Sequence, residues 1–200
     1  TATSLDEVHV RRYRPAVGAF LDFPTDLGFD AAGNLYVAET YGNRIRRIDA
    51  KAGTIRVVAG GGDTLGDGGP ATSARLQNPY GLLVDAAGNL FIADSDQHRI
   101  RLVNAATQVI TTIAGTGTEG STGDGGPASA ATLSYPDGLA FDPRGGIFFA
   151  SGNRIRRIDG QTGVISTVAG GGSSTADGVP ATLAALDSPS GVGVDAAGNV

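Results

Sequence analysis

Three features of the sequence together predict an all-β chain folded as part of a β-propeller of four-stranded antiparallel blades. They are a repeat with a 55-residue period, four short strand-like segments in each period, and glycine-rich turns between them. The words IRVVAG (55–60), ITTIAG (110–115) and ISTVAG (165–170) end at Gly60, Gly115 and Gly170, each 55 residues from the next. Each is followed by a connector: DGGPATSARLQNP (67–79), DGGPASAATLSYP (124–136) and DGVPATLAALDSP (177–189). Within each connector two prolines stand nine residues apart, with Ala, two residues, Ala, one residue, Leu between them. PAVGAFLDFP (15–24) has the same frame, although RYR precedes it where the other copies have DGG or DGV.

The first strand of a unit, A, is read at 27–29, 82–84 and 139–141. The DAAGN turns at 30–34 and 85–89 lead into strand B, LYVAE (35–39) and LFIAD (90–94). Strand C is RIRRID (44–49, 154–159) and RIRLVN (99–104); strand D ends in the VAG-type words. Runs of this length bounded by Gly, Asp and Asn are the punctuation of an all-β chain. One local rule is broken: Ile45 and Ile48 cannot share a face of a regular strand, which calls for a bulge or for burial on both faces. The units are expected at 24–78, 79–135 and 136–188. Residues 1–23 belong to a preceding connector and 189–200 open a further blade. The chain thus holds three complete blades plus fragments of a ring of about six.

Composition narrows function. The net charge is −5, with fourteen arginines and a single lysine, Lys51, which argues against nucleic acid as a partner. No cysteine is present, so disulfides, thiolate nucleophiles and cysteine-held metals are excluded. No apolar run approaches the length of a membrane span. The chain opens at Thr1 without a methionine or a signal segment, so either a signal has been removed or the sequence is an excerpt. The two histidines, His9 and His98, cannot make a three-histidine zinc site. No GxSxG elbow appears, and the GGG runs at 60–62 and 170–172 lack the lysine of a phosphate loop.

LYVAETYGNRIRRI (35–48) and LFIADSDQHRIRLV (90–103) resemble the strand B to C core of NHL repeats, with His98 at the histidine of the motif and Asn43 and Asn153 in its place elsewhere. The long connector is similar to that of bacterial NHL-repeat proteins and of the NHL domain of teneurins. The resemblance runs from Pro15 to Val200. It implies a propeller of six blades, an extracellular or periplasmic bacterial protein, and a role in binding a protein or another ligand without chemistry or cofactor of its own. It leaves two rivals: an NHL-like lyase whose metal ligands lie in further blades, and RNA binding through the arginines.

The internal repeat sorts residues. What recurs in every blade builds a blade; what differs is free for a particular task. Arg44, Arg99 and Arg154 recur and are expected to pair with Glu39 and Asp94, five residues earlier; in the third unit Ser151 replaces the acid and the turn is two residues shorter. Asp67, Asp124 and Asp177 read as turn-builders rather than calcium ligands, and His98 as a structural hydrogen-bonder. The B–C turns and D–A connectors fall on one face because successive strands alternate in direction. Their variable residues Tyr41, Arg75, Tyr80, Asp96, Gln97, Glu119 and Tyr135, together with the recurring Arg154, whose acid is replaced by Ser151, are the candidate binding residues. Three further expectations follow: strand A lies innermost and strand D outermost; Leu76, Leu133 and Leu186 are buried in equivalent places; and both ends of the arc expose apolar residues such as Leu27, Phe29, Leu139 and Phe141, so that the 200 residues alone aggregate or pair to close a ring.

Overall fold

Each Asp-Ala-Ala-Gly-Asn segment turns the chain back on itself. Asp30 Oδ1 accepts the N–H groups of Ala32 (3.0 Å) and Asn34 (2.9 Å), and Gly33 takes φ 81°, which glycine adopts at little cost. Asn34 Oδ1 then accepts the N–H of Ala50, tying this turn to the C–D turn beside it; Asn89 does the same for Ala105. Such turns separate the strands of the computed structural model, which describes residues 14–200. His9 and most of the RYR flank lie outside the described residues.

Three antiparallel sheets follow in chain order. The first contains β1 (Arg14–Pro15), β2 (Pro24–Phe29), β3 (Leu35–Glu39), β4 (Arg44–Ile48) and β5 (Thr54–Gly60), in the order β1-β5-β4-β3-β2. The second is β6 (Pro79–Val84), β7 (Leu90–Asp94), β8 (Arg99–Val103) and β9 (Ile110–Ala114), paired in sequence. The third is β10 (Leu139–Phe141), β11 (Gly146–Ser151), β12 (Arg154–Asp159) and β13 (Ile165–Gly170). The A strands β2, β6 and β10 line a common inner space, as expected.

Strand D is the outer strand of each four-stranded blade, as expected. The connector arriving from the preceding blade lays a short extra rung on it. Pro15 pairs with Thr54, Pro70 with Val109, and Pro127 with Val164. Gly68 N–H bonds Ile110 O (2.8 Å) and Ile110 N–H returns to Gly69 O (3.0 Å), with the same exchange between Gly125, Gly126 and Ile165. An edge that would otherwise recruit another chain is thus covered.

The Ile45/Ile48 conflict is resolved by burial on both faces, with no extra residue in strand C itself. Strand C pairs regularly with strand B, and the register shift falls on its other side, between Ile45 and Arg46 opposite strand D. Ile100/Arg101 and Ile155/Arg156 repeat the shift. Ile45 and Arg46 are both buried although they point to opposite faces, because a neighbouring element covers each side.

The cores lie between blades. Ala71, Ala74 and Leu76 of the first long connector pack among Tyr36, Ala38 and Val58 of one blade and Leu82, Ile92 and Ile110 of the next. Ala128, Ala131 and Leu133 fill the following wedge against Ile100, Phe149 and Ile165. Ala71–Ser73 and Ala128–Ala130 form single 3-10 turns. Small residues are required there because the connector doubles back: a Cβ on Gly66 would come 2.8 Å from Cα of Ala74, and one on Gly123 2.7 Å from Cα of Ala131. Leu76 and Leu133 are buried as expected, but Leu186 is half-buried, because no complete sheet closes over it. Leu27 and Phe29 are exposed at the leading end of the arc, whereas Leu139 is buried between the second and third blades rather than at a free face.

Candidate functional site

The B–C turns span 40–43, 95–98 and 152–153, and the connectors that share their face run over 61–78, 116–135 and 171–188. One element repeats on this face. The side chain at the motif position accepts the backbone N–H of the residue preceding the next blade's proline. Asn43 Oδ1 accepts from Asn78 (2.8 Å), His98 Nδ1 from Tyr135 (3.3 Å), and Asn153 Oδ1 from Ser188 (3.5 Å). Phe23, Asn78, Tyr135 and Ser188 all hold positive φ, between 42° and 52°. The histidine of the motif is therefore an inter-blade latch, the structural hydrogen-bonder expected from its motif position.

The arginines are deployed differently from expectation. Arg44 Nε bonds Glu39 Oε2 as anticipated. Arg99 does not pair with Asp94; it donates to the carbonyls of Gln97 (3.1 Å) and Thr116 (2.6 Å). Asp94 is instead taken by Arg101 (3.2 Å), a fully buried guanidinium that also donates to Leu65 O (2.8 Å) and Asp67 Oδ1 (2.7 Å). Arg156 repeats this clasp on Thr132 O, Thr122 O and Asp124 Oδ1 (2.6 Å). Asp67 and Asp124 thus do more than build turns: each anchors a connector to a buried arginine. Arg154 lies against Gly171, where its Nη1 would be 2.2 Å from a Cβ; among the described residues it has no ion pair.

Burial pushes the Asp94 carboxyl up to about 6, opposed by the Gln77 N–H (2.7 Å) and by Arg101. Asp26 and Asp137 also sit above the usual carboxylate range through burial, Asp137 in part because Asp26 is near. Both line a cavity of about 460 Å³ where the A strands begin, together with Thr25, Tyr80, Gly81 and Ser190. Asp26 Oδ2 accepts the N–H of Leu82 (2.7 Å), so its carboxylate braces two inner strands.

The candidate residues fall into small groups. Tyr41 stacks on Phe23 with ring centroids 4.4 Å apart and planes 15° from parallel. Asp96 accepts from Asn78 Nδ2 (2.6 Å), and Gln97 donates to Gln77 (2.6 Å). Arg75 is exposed beside Gly61, Gly62 and Gln77. Tyr80 stands apart, at the inner cavity. Glu119 accepts from Ser134 (3.2 Å), next to Tyr135, whose ring meets His98 at 4.7 Å and 75°. Phe23 and the buried Arg46, Arg101 and Arg156 went unselected in the sequence. The 55-residue recurrence of the three arginines was the available signal. Among the described residues no three His, Cys, Asp or Glu side chains group to hold a metal. None of the described helices is long and apolar enough to cross a membrane.

Residues 116–177 match the family model of the teneurin NHL domain. NHL repeat-containing protein 2 of Bos taurus is 31% identical over 146 residues, covering 66% of this chain and 20% of that protein. Teneurin-3 of Mus musculus is 34% identical over 160 residues, 74% of this chain and 6% of that protein. A solved structure of a protein of unknown function from Bacteroides thetaiotaomicron superposes with a TM-score of 0.63 at 18% identity, over 84% of this chain and 41% of that one. The chain therefore spans a fifth or less of the two relatives, and the structural likeness concerns the fold alone.

Proposed function

The chain is an NHL-repeat β-propeller, and from that premise we propose that it is a non-catalytic scaffold that binds a protein or other ligand through the face of B–C turns and D–A connectors. One observation carries the reading. On this face the backbone latch is the same in every blade, while the side chains it presents differ and include half-exposed aromatics: Phe23 at 50%, Tyr41 at 59% and Tyr135 at 51% exposure. The opposite face is used up by its own turns, with Asp30, Asp85 and Asp195 each hydrogen-bonded to the Asn four residues on. A ring of six blades and export from a bacterial cell belong to the same proposal and rest on the family resemblance. Replacing Tyr41 and Arg75 with alanine tests it. Partner affinity falls while Asp30→Asn and Asp85→Asn variants bind as before; the reverse pattern would move the site to the other face.

A further inference from the structure

We propose that the shortened B–C turn of the third blade leaves a stacking slot on Tyr135 for a tyrosine or tryptophan side chain of a partner protein; this deepens the binding reading above and rests on it. Equivalent positions of the three blades differ in what covers them. The residue before each blade's proline is covered by the second residue of the same blade's B–C turn. In the first blade Tyr41 stacks on Phe23, and in the second Asp96 holds Asn78. Both turns have four residues, whereas in the third blade only Gly152 and Asn153 separate β11 from β12. Gly152 N–H bonds Ser134 O (2.7 Å), so the shortened turn closes beneath Tyr135 and offers it no covering side chain.

Tyr135 is half exposed, as Phe23 is, but its aromatic contact among the described residues is the near-perpendicular edge-to-face meeting with His98, so no ring lies parallel to its face. Its φ of 42° is shared with Phe23, Asn78 and Ser188 and belongs to the joint between blades rather than to the slot. A half-exposed aromatic on a loop suits an interface. Its position, between two complete blades, means that the ring is not open merely because it stands at the end of the arc.

The first blade shows what fits. Its occupant is an aromatic ring lying nearly parallel to the one beneath it. Glu119, bonded to the adjacent Ser134, sets a carboxylate beside the slot that can accept a phenol O–H or an indole N–H. A planar ring with one donor therefore matches better than a pyranose, whose many hydroxyls need several partners.

Saturation-transfer NMR on the full chain tests this with N-acetyl-tyrosinamide, N-acetyl-tryptophanamide and, as the sugar probe, methyl β-glucopyranoside. The expected result is ring-proton saturation from an aromatic amide. Binding should weaken about fivefold, the size of one stacking contact, in Tyr135→Ala and be retained in Tyr135→Phe. A second variant replaces Gly152-Asn153 with Thr-Tyr-Gly-Asn, the turn of the first blade, and fills the slot from within; it should lose binding while keeping the wild-type unfolding midpoint. No signal from either amide, undiminished binding by the extended turn, or stronger binding of the glucoside overturns the slot. A partner that binds this face but is indifferent to the extended turn also overturns the slot and leaves the broader reading standing. A partner that ignores the face altogether removes that reading instead.

Discussion

Leu133→Ala probes the joint on which the blade arrangement depends. Leu133 is fully buried between the second and third blades, against Ile100, Ala114, Phe149 and Ile165. Large-to-small changes at such sites cost about 2–5 kcal/mol, and more where the surroundings cannot collapse into the space. Here one wall is backbone: a Cβ on Gly115 would lie 3.1 Å from Leu133 Cδ1 and 2.2 Å from the carbonyl oxygen of His98. That chain segment is pinned by Gly115 N–H to Ala128 O (3.0 Å), so relaxation is limited and the loss should fall at about 3–5 kcal/mol. The internal control is Leu186→Ala. It is the same residue at the same place in the repeat, yet half-buried, so its truncation should cost about 1 kcal/mol. Urea unfolding followed by circular dichroism gives both values if the m-value is unchanged. A loss below about 0.5 kcal/mol at Leu133 would mean that the connector is a surface loop and not part of the core. Equal losses at the two leucines would mean that neighbouring blades do not set their burial.

Arg101→Met should destabilise more than Arg156→Met, by about 1–3 kcal/mol in urea unfolding, because it strands the buried Asp94 whereas Arg156 faces the half-exposed Asp124; equal effects would count against this account. The raised Asp94 carboxyl has a stated pH consequence. An acid whose folded pKa is higher than its unfolded one contributes stability that is full below about 4 and lost as pH rises through about 6. The stability of wild type over Asp94→Asn should therefore be larger at pH 4 than at pH 7.5, by about 2–3 kcal/mol, and a difference that grows with pH instead would show Asp94 to be depressed by Arg101. The exposed apolar residues at the leading end, Val17 at 93%, Phe20 at 79% and Phe29 at 64% exposure, lead to a further expectation. The 200 residues expressed alone should give a dimer or larger species by light scattering at micromolar concentration; a stable monomer with cooperative unfolding would show that three blades suffice.

Much of the fold was legible because the repeat is its own alignment. The spacing of Gly60, Gly115 and Gly170 marks the strand D ends, and the Ala–Ala–Leu frame marks the wedges between blades. His98 was legible as structural because it occupies the motif position, where Asn43 and Asn153 stand in the other units. The buried arginines were not. Arg-Ile-Arg reads as a strand with one wet face, and nothing local shows that the wet face of strand C is roofed by a connector carrying Asp67 or Asp124. The same blind spot assigned Asp94 to Arg99: the pleat sets Arg99 and Arg101 on the same face as Asp94, and Arg101 takes the carboxylate while Arg99 turns to the carbonyls of Gln97 and Thr116. The candidate face was read from strand direction, and the aromatic contacts on it depend on turn length. The two-residue deletion before Arg154 was visible in the sequence, but its effect on Tyr135 required the pairing of Phe23 with Tyr41 to be seen.

The central claim is that one face binds, and a crosslinking footprint tests it most directly. A photo-crosslinking amino acid placed singly at 41, 75, 96, 119 and 135, and at 31, 86 and 196 in the opposite turns, reports which side a partner touches. Adducts should form from the first set and not from the second. Adducts confined to the DAAGN turns, with none at 41 or 135, would contradict the account.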